Sequence, residues 1–110
     1  MPQITVDYSA PLDRRGFARA LHPLVVDTVD AELDACKTRF REIEELIVGD
    51  GSTYDVIVHV EIALLSGRPD ADKAKLAEAV LDMLPTFLPV PEDVRLSVEV
   101  RDLDSSYRKR

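Results

Sequence analysis

The stretch Val56-Ile57-Val58-His59-Val60-Glu61-Ile62-Ala63-Leu64 decides the fold. Val56, Val58, Val60, Ile62 and Leu64 recur at every second position, so they share one face of an extended chain. Four of the five are β-branched, which suits a pleated, half-buried surface. The alternation predicts a strand over residues 54–65 with one apolar face and one polar face.

Reading outward, Ser66-Gly67-Arg68-Pro69-Asp70 breaks the alternation and opens a helix. Pro69 suits a first-turn position, and Asp70 and Asp72 complement the positive end of a helix dipole. Leu76, Val80, Met83, Leu84 and Phe87 carry helical spacing, which Pro85, Pro89 and Pro91 bring to an end. Val94, Leu96, Val98 and Val100 form a last alternating strand. Upstream, Pro2 to Tyr8 alternates, with Ile4, Val6 and Tyr8 on one side. Phe17, Leu21, Leu24, Val25 and Thr28 follow at helical intervals, and Pro23 predicts a kink or a weakened middle. Alternation returns from Cys36 to about Val48, and Gly49-Asp50-Gly51-Ser52 marks a turn.

The order is a doubled β-α-β. Right-handed crossovers between parallel strands then give an α+β sandwich, a mixed four-stranded sheet with both helices on one face. The 110 residues suffice for one domain, expected over 1–104, with a polar tail at 105–110. The other sheet face should carry Gln3, Thr5, Asp7, Lys37, Arg39, Arg41, His59, Glu61, Arg95, Ser97, Glu99 and Arg101, five basic residues against three acidic ones. Such a face is either solvated or packed against other subunits.

Composition excludes several function classes. With 21 acidic and 14 basic residues the formal charge is −7, against a nucleic-acid binder. No apolar run approaches the ~20 residues that span a bilayer, and the first residues do not read as a signal peptide. The single Cys36 cannot form an intrachain disulfide and fits a reducing, cytoplasmic setting. Neither His22 nor His59 has companions at metal-ligand spacing, so no metal is expected. Phosphate-loop, nucleophile-elbow and dinucleotide fingerprints are absent.

Some positions nevertheless carry chemistry. Lys37, Arg39 and Arg41 project from one side of a strand, as an anion-binding row or as a solvated face paired with carboxylates. Arg68 lies where a strand ends and a helix begins, a common place for an anion site and also for an ordinary loop arginine. Removal of Met1 would make Pro2 a secondary amine at the head of a strand. The reference pKa of an α-amino group is roughly 7.7–8.0, and neighbouring cations and burial both disfavour its protonated form. A neutral amine at that position can take a proton and return it elsewhere. A retained Met1 would leave the nitrogen an amide without basicity. His59 reads as a structural histidine bonded across the sheet or an interface, and Cys36 as a small buried residue.

Together these residues resemble the 5-carboxymethyl-2-hydroxymuconate isomerases of the tautomerase superfamily. The likeness rests on Met-Pro-x-x-x-Val at Met1 to Val6, on Val58-His59 followed by Gly67-Arg68, and on Gly16-Phe17, His22-Pro23 and Lys37-Thr38-Arg39. It implies a homotrimer with sheets packed about a central axis and sites near subunit boundaries. It implies a cofactor-independent isomerase in aromatic-compound catabolism, with Pro2 as general base and acid. Cationic side chains would hold the carboxylates of a dienol or 2-oxo acid: Arg68, and on the second strand Arg39 or Lys37. A lysine in that role supplies charge without a bidentate fork. The first loop is a few residues shorter than the family pattern. Two other readings use the same scaffold: a dehalogenase or decarboxylase with Glu61 or Glu99 activating water, and a non-enzymatic trimer binding a small anion or a protein.

Overall fold

A computed structural model describes residues 2–110. Strand β1 (Gln3–Tyr8) leads into helix α1 (Arg14–Val29), and a 3₁₀ turn at Leu33–Ala35 precedes β2 (Lys37–Glu42). Strand β3 (Val56–Leu64) leads into α2 (Asp70–Met83), which tightens into a 3₁₀ turn at Leu84–Phe87 before β4 (Val94–Asp102). The sheet order is β2-β1-β3-β4. The pairs β1–β2 and β3–β4 are parallel, and β1 and β3 run antiparallel at the centre. The doubled β-α-β and its mixed sheet follow the sequence pattern.

The period-two face of the strands and the period-3.6 stripe of the helices meet in one core. Ile4 and Val6 of β1, Val58, Val60, Ile62 and Leu64 of β3, Phe17, Leu21 and Val25 of α1, and Leu76 and Val80 of α2 are fully buried. Each contributes about 1.5–3 kcal/mol on leaving water. Phe17 and Phe87 add a tilted aromatic pair with ring centroids 5.8 Å apart.

Helix ends are set by local chemistry. The Asp13 carboxylate caps α1 by accepting from the Gly16 N–H at 3.1 Å. A Cβ on residue 16 would overlap that carboxylate, so glycine is the residue that permits this cap. Helix α1 runs through Pro23 without interruption. Pro69 stands one place earlier than the sequence suggests, as the extended residue before α2 rather than within its first turn.

Strand β2 is the main departure. The alternation suggests extension to about Val48, yet β2 ends at Glu42. Its partner, β1, ends at Tyr8, opposite Glu42. One more bond, from the Ile43 N–H to the Tyr8 carbonyl at 2.8 Å, closes the ladder. Beyond it no strand among the described residues lies alongside to pair with, whatever the pattern.

Candidate active site

The candidate site forms at the end of the sheet where β1 and β2 begin and β3 ends. Pro2 is buried there, and its carbonyl accepts from the Lys37 N–H at 3.3 Å. It lines a pocket of about 250 Å³. Asp30, Glu32 and Ala35 reach this pocket from the segment after α1, Leu65 and Arg68 from the β3–α2 connection, and Lys109 from the carboxyl-terminal tail.

Arg68 is positioned by Gly67, whose φ of +117° lies where side-chain-bearing residues are strained. The guanidinium then folds back on the end of α1. Its Nε donates to the Val29 carbonyl at 2.6 Å, Nη1 to the Leu65 carbonyl at 3.1 Å and Nη2 to the Asp30 carbonyl at 3.5 Å. Asp30 adopts a left-handed backbone conformation with φ of 53°, so the helix ends on its own carbonyls. A cation against those carbonyls answers the negative end of the helix dipole. Arg68 is thus both the cap of α1 and a wall of the Pro2 pocket.

The second-strand cations lie elsewhere. Lys37 Nζ donates to the Ala35 carbonyl at 3.1 Å, at the pocket's edge. Arg39 bonds Gln3 Oε1 and Thr5 Oγ1 on the open sheet face. The single chain therefore brings Pro2 and Arg68 together but does not bring Lys37 or Arg39 into their pocket. Lys109 is the residue that sequence reading overlooked. The signal was Tyr107-Arg108-Lys109-Arg110, an aromatic residue followed by three cations in a segment read as a polar tail.

Several charges on the rest of the open face are paired within the chain. Arg41 grips Asp7 with two bonds, at 2.8 and 3.2 Å, and Arg101 bonds Glu61 at 3.0 Å. His59 Nδ1 lies 2.6 Å from Ser97 Oγ on the adjacent strand, a structural bond across the sheet. Glu61 and Glu99 sit in this face, opposite each other across β3 and β4, and neither lines the Pro2 pocket. Cys36 is buried, and burial raises its thiol pKa while the Lys37 charge works in the opposite direction. Among the described residues no group of three His, Cys, Asp or Glu side chains is arranged to hold a metal ion. No helix there is long and apolar enough to cross a membrane.

A family profile for 5-carboxymethyl-2-hydroxymuconate isomerase matches residues 2–110. The chain belongs to that family. It is accordingly an isomerase of the tautomerase type. No curated protein sequence matches it, and the comparisons that follow are with solved structures. A 5-carboxymethyl-2-hydroxymuconate isomerase from Deinococcus radiodurans R1 superposes with a TM-score of 0.80 at 18% identity, covering 98% of this chain and 88% of that one. N1, a member of the cis-3-chloroacrylic acid dehalogenase family, gives 0.74 at 22% identity over 97% and 78%. A fused 4-OT described as a wild-type symmetric trimer gives 0.76 at 22% identity over 96% and 90%. At these identities the likeness establishes a common tautomerase-like fold.

Proposed function

We propose that the chain catalyses a cofactor-independent proton shift in a carboxylated dienol or 2-oxo acid, with Pro2 as base and acid after Met1 is removed. The observation that carries this reading is the position of Pro2, buried at the head of β1 in a pocket it shares with Arg68. The neutral proline nitrogen takes the proton from the enol oxygen as the electron pair moves toward carbon. The resulting ammonium returns that proton to the carbon. Atoms and charge balance without a second reactant. Burial and the charges of Arg68 and Lys109 favour the neutral amine, while Asp30 and Glu32 hold the ammonium in its turn. Arg68 adds a fixed positive field for the enolate that develops between the two steps.

The working unit in this reading is a homotrimer whose sheets pack about a central axis, as the resemblance to the family implies. The self-paired but solvent-facing polar face is then the interface, and Lys37 and Arg39 serve carboxylates at subunit boundaries. The substrate is small and anionic, and aromatic-compound breakdown supplies such dienols.

The test is intact mass followed by labelling. Protein lacking Met1 should ketonise a carboxylated enol. It should also take up one equivalent of 2-oxo-3-pentynoate, whose electrophilic alkyne a neutral amine attacks, with the adduct on Pro2. The apparent pKa governing kcat/KM should lie below the roughly 7.7–8.0 of a free α-amine. Turnover by a Pro2→Ala variant at the wild-type rate, or by protein retaining Met1, overturns the assignment.

A further inference from the structure

The segment after β4 is built into the molecule. The Leu103 N–H donates to the Leu64 carbonyl at 2.6 Å, carrying the β3–β4 pairing one step past Asp102. A tight turn follows, in which the Ser106 N–H donates to the Asp104 carboxylate at 2.8 Å and the Tyr107 N–H to the Asp104 carbonyl at 3.0 Å. Tyr107 is half-buried, and its hydroxyl accepts from Gln3 Nε2 at 3.2 Å. That bond fastens the tail to β1 one residue from Pro2. The Arg108 guanidinium turns back onto the Ser105 and Tyr107 carbonyls. The chain then delivers Lys109 to the wall of the Pro2 pocket.

Two cations line this pocket, and they differ in what they can offer a ligand. Three of the five N–H donors of Arg68 are engaged by backbone carbonyls, those of Val29 and Asp30 at the end of α1 and that of Leu65 in the β3–α2 connection. Turning that fork toward a carboxylate would uncover those carbonyls. The Lys109 ammonium has no hydrogen-bond or ion-pair partner among the described residues, and its three donors are uncommitted. An anion entering beside Pro2 therefore meets one mobile cation and one fixed one, against the Asp30 and Glu32 carboxylates on the facing segment, and Lys109 is the cation free to turn toward it.

From this we infer that Lys109 binds the carboxylate of a 2-oxo acid substrate, with the Gln3–Tyr107 bond as the clasp that holds it over Pro2. The inference rests on the Pro2 pocket being the substrate site, but it does not need Pro2 to be the base. Arg68 supplies field and shape, and Lys109 supplies the contact. Tyr107 is a positioning residue, acting through Lys109.

The probe is 2-oxobutanoate, titrated by NMR into the full-length protein lacking Met1, so that binding is read without turnover. Lys109→Gln should raise Kd about tenfold or more, the scale of a lost charge-assisted hydrogen bond. Lys109→Arg should restore binding to within about threefold, because the positive charge is kept. Tyr107→Phe should fall between Lys109→Gln and wild type. Wild-type Kd should weaken with added salt, and that dependence should flatten in Lys109→Gln, which loss of packing alone would not produce. A Lys109→Gln Kd within about twofold of wild type, or no binding by the wild type, overturns the inference. Weakened binding in Lys109→Gln without enol turnover would leave this inference standing and remove Pro2 as base. Turnover with Kd unaltered by Lys109→Gln would do the reverse.

Discussion

Consider what Arg68 costs to replace. Its three nitrogens close the carbonyl end of α1 and tie that end to the β3–α2 connection at Leu65. Bonds from a charged donor are worth about 1.5–3 kcal/mol each in protected settings, and this side chain is partly exposed, which lowers the figure. Arg68→Ala should therefore destabilise the fold by about 2 kcal/mol. Arg68→Lys should recover only a part, because one ammonium cannot span three carbonyls as a planar fork does. Urea unfolding of the two variants checks both figures. An arginine serving ligand binding alone would leave the midpoint in place. The sequence showed Arg68 beside a turn, and both a ligand role and a loop role agreed with that setting. Its capping role was not legible, since the carbonyls it meets lie about forty residues back in the chain, at Val29 and Asp30. Lys109 was hidden for a related reason. Nothing local to a polar tail announces that Tyr107 reaches a strand at the other end of the chain.

At the scale of elements, local periodicity carried most of the fold. β3 and α2 bury the residues that their spacing picked out, Val58, Val60 and Ile62 on the strand and Leu76 and Val80 on the helix. The overlong reading of β2 failed because a strand's length belongs to a pair, and β1 offers only Gln3–Tyr8. The junction of α1 with β2 yields a pH prediction. His22 of α1 lies with Nε2 2.8 Å from the Thr38 hydroxyl of β2, and burial lowers its pKa from 6.5. Well above pH 6.5 the imidazole is neutral folded and unfolded, and its titration leaves stability unchanged. As pH falls through that value the unfolded chain takes up the proton first, so stability declines until the lowered folded pKa is passed. Asp50 and Asp104 titrate below the ordinary carboxylate value of 3.8, through bonds from Ser52 and Ser106, so their contributions are lost at more acid pH. Unfolding free energy should thus fall as the pH is lowered from about 7 through 6.5, and His22→Gln should flatten that slope. A slope that survives His22→Gln would assign the loss to another group.

For the whole molecule, the open sheet face poses the largest physical question. A four-stranded sheet covered by helices on one side exposes the other side unless a second layer covers it. Here that side is neither an apolar patch nor a uniform field. Arg41 pairs with Asp7, Arg101 with Glu61, His59 with Ser97, and Arg39 with Gln3 and Thr5. Polar groups satisfied within one chain can enter an interface without being left unpaired, whereas an added charge at the centre cannot. Thr5 is that centre, half-buried and flanked in register by Arg39 and Glu61. In the proposed trimer, light scattering should give three times the 12.3 kDa chain mass. Thr5→Arg would remove the hydroxyl that Arg39 bonds and place a long cation between Arg39 and Glu61, whose carboxylate Arg101 already engages. That cation is readily solvated in a lone chain but crowded and desolvated between packed sheets. The variant should dissociate to single chains that keep their far-ultraviolet circular dichroism, since its side chain points away from the core. A Thr5→Arg protein of unchanged assembled mass would place the interface on another surface, and with it the proposed role of Lys37 and Arg39 at subunit boundaries would fall.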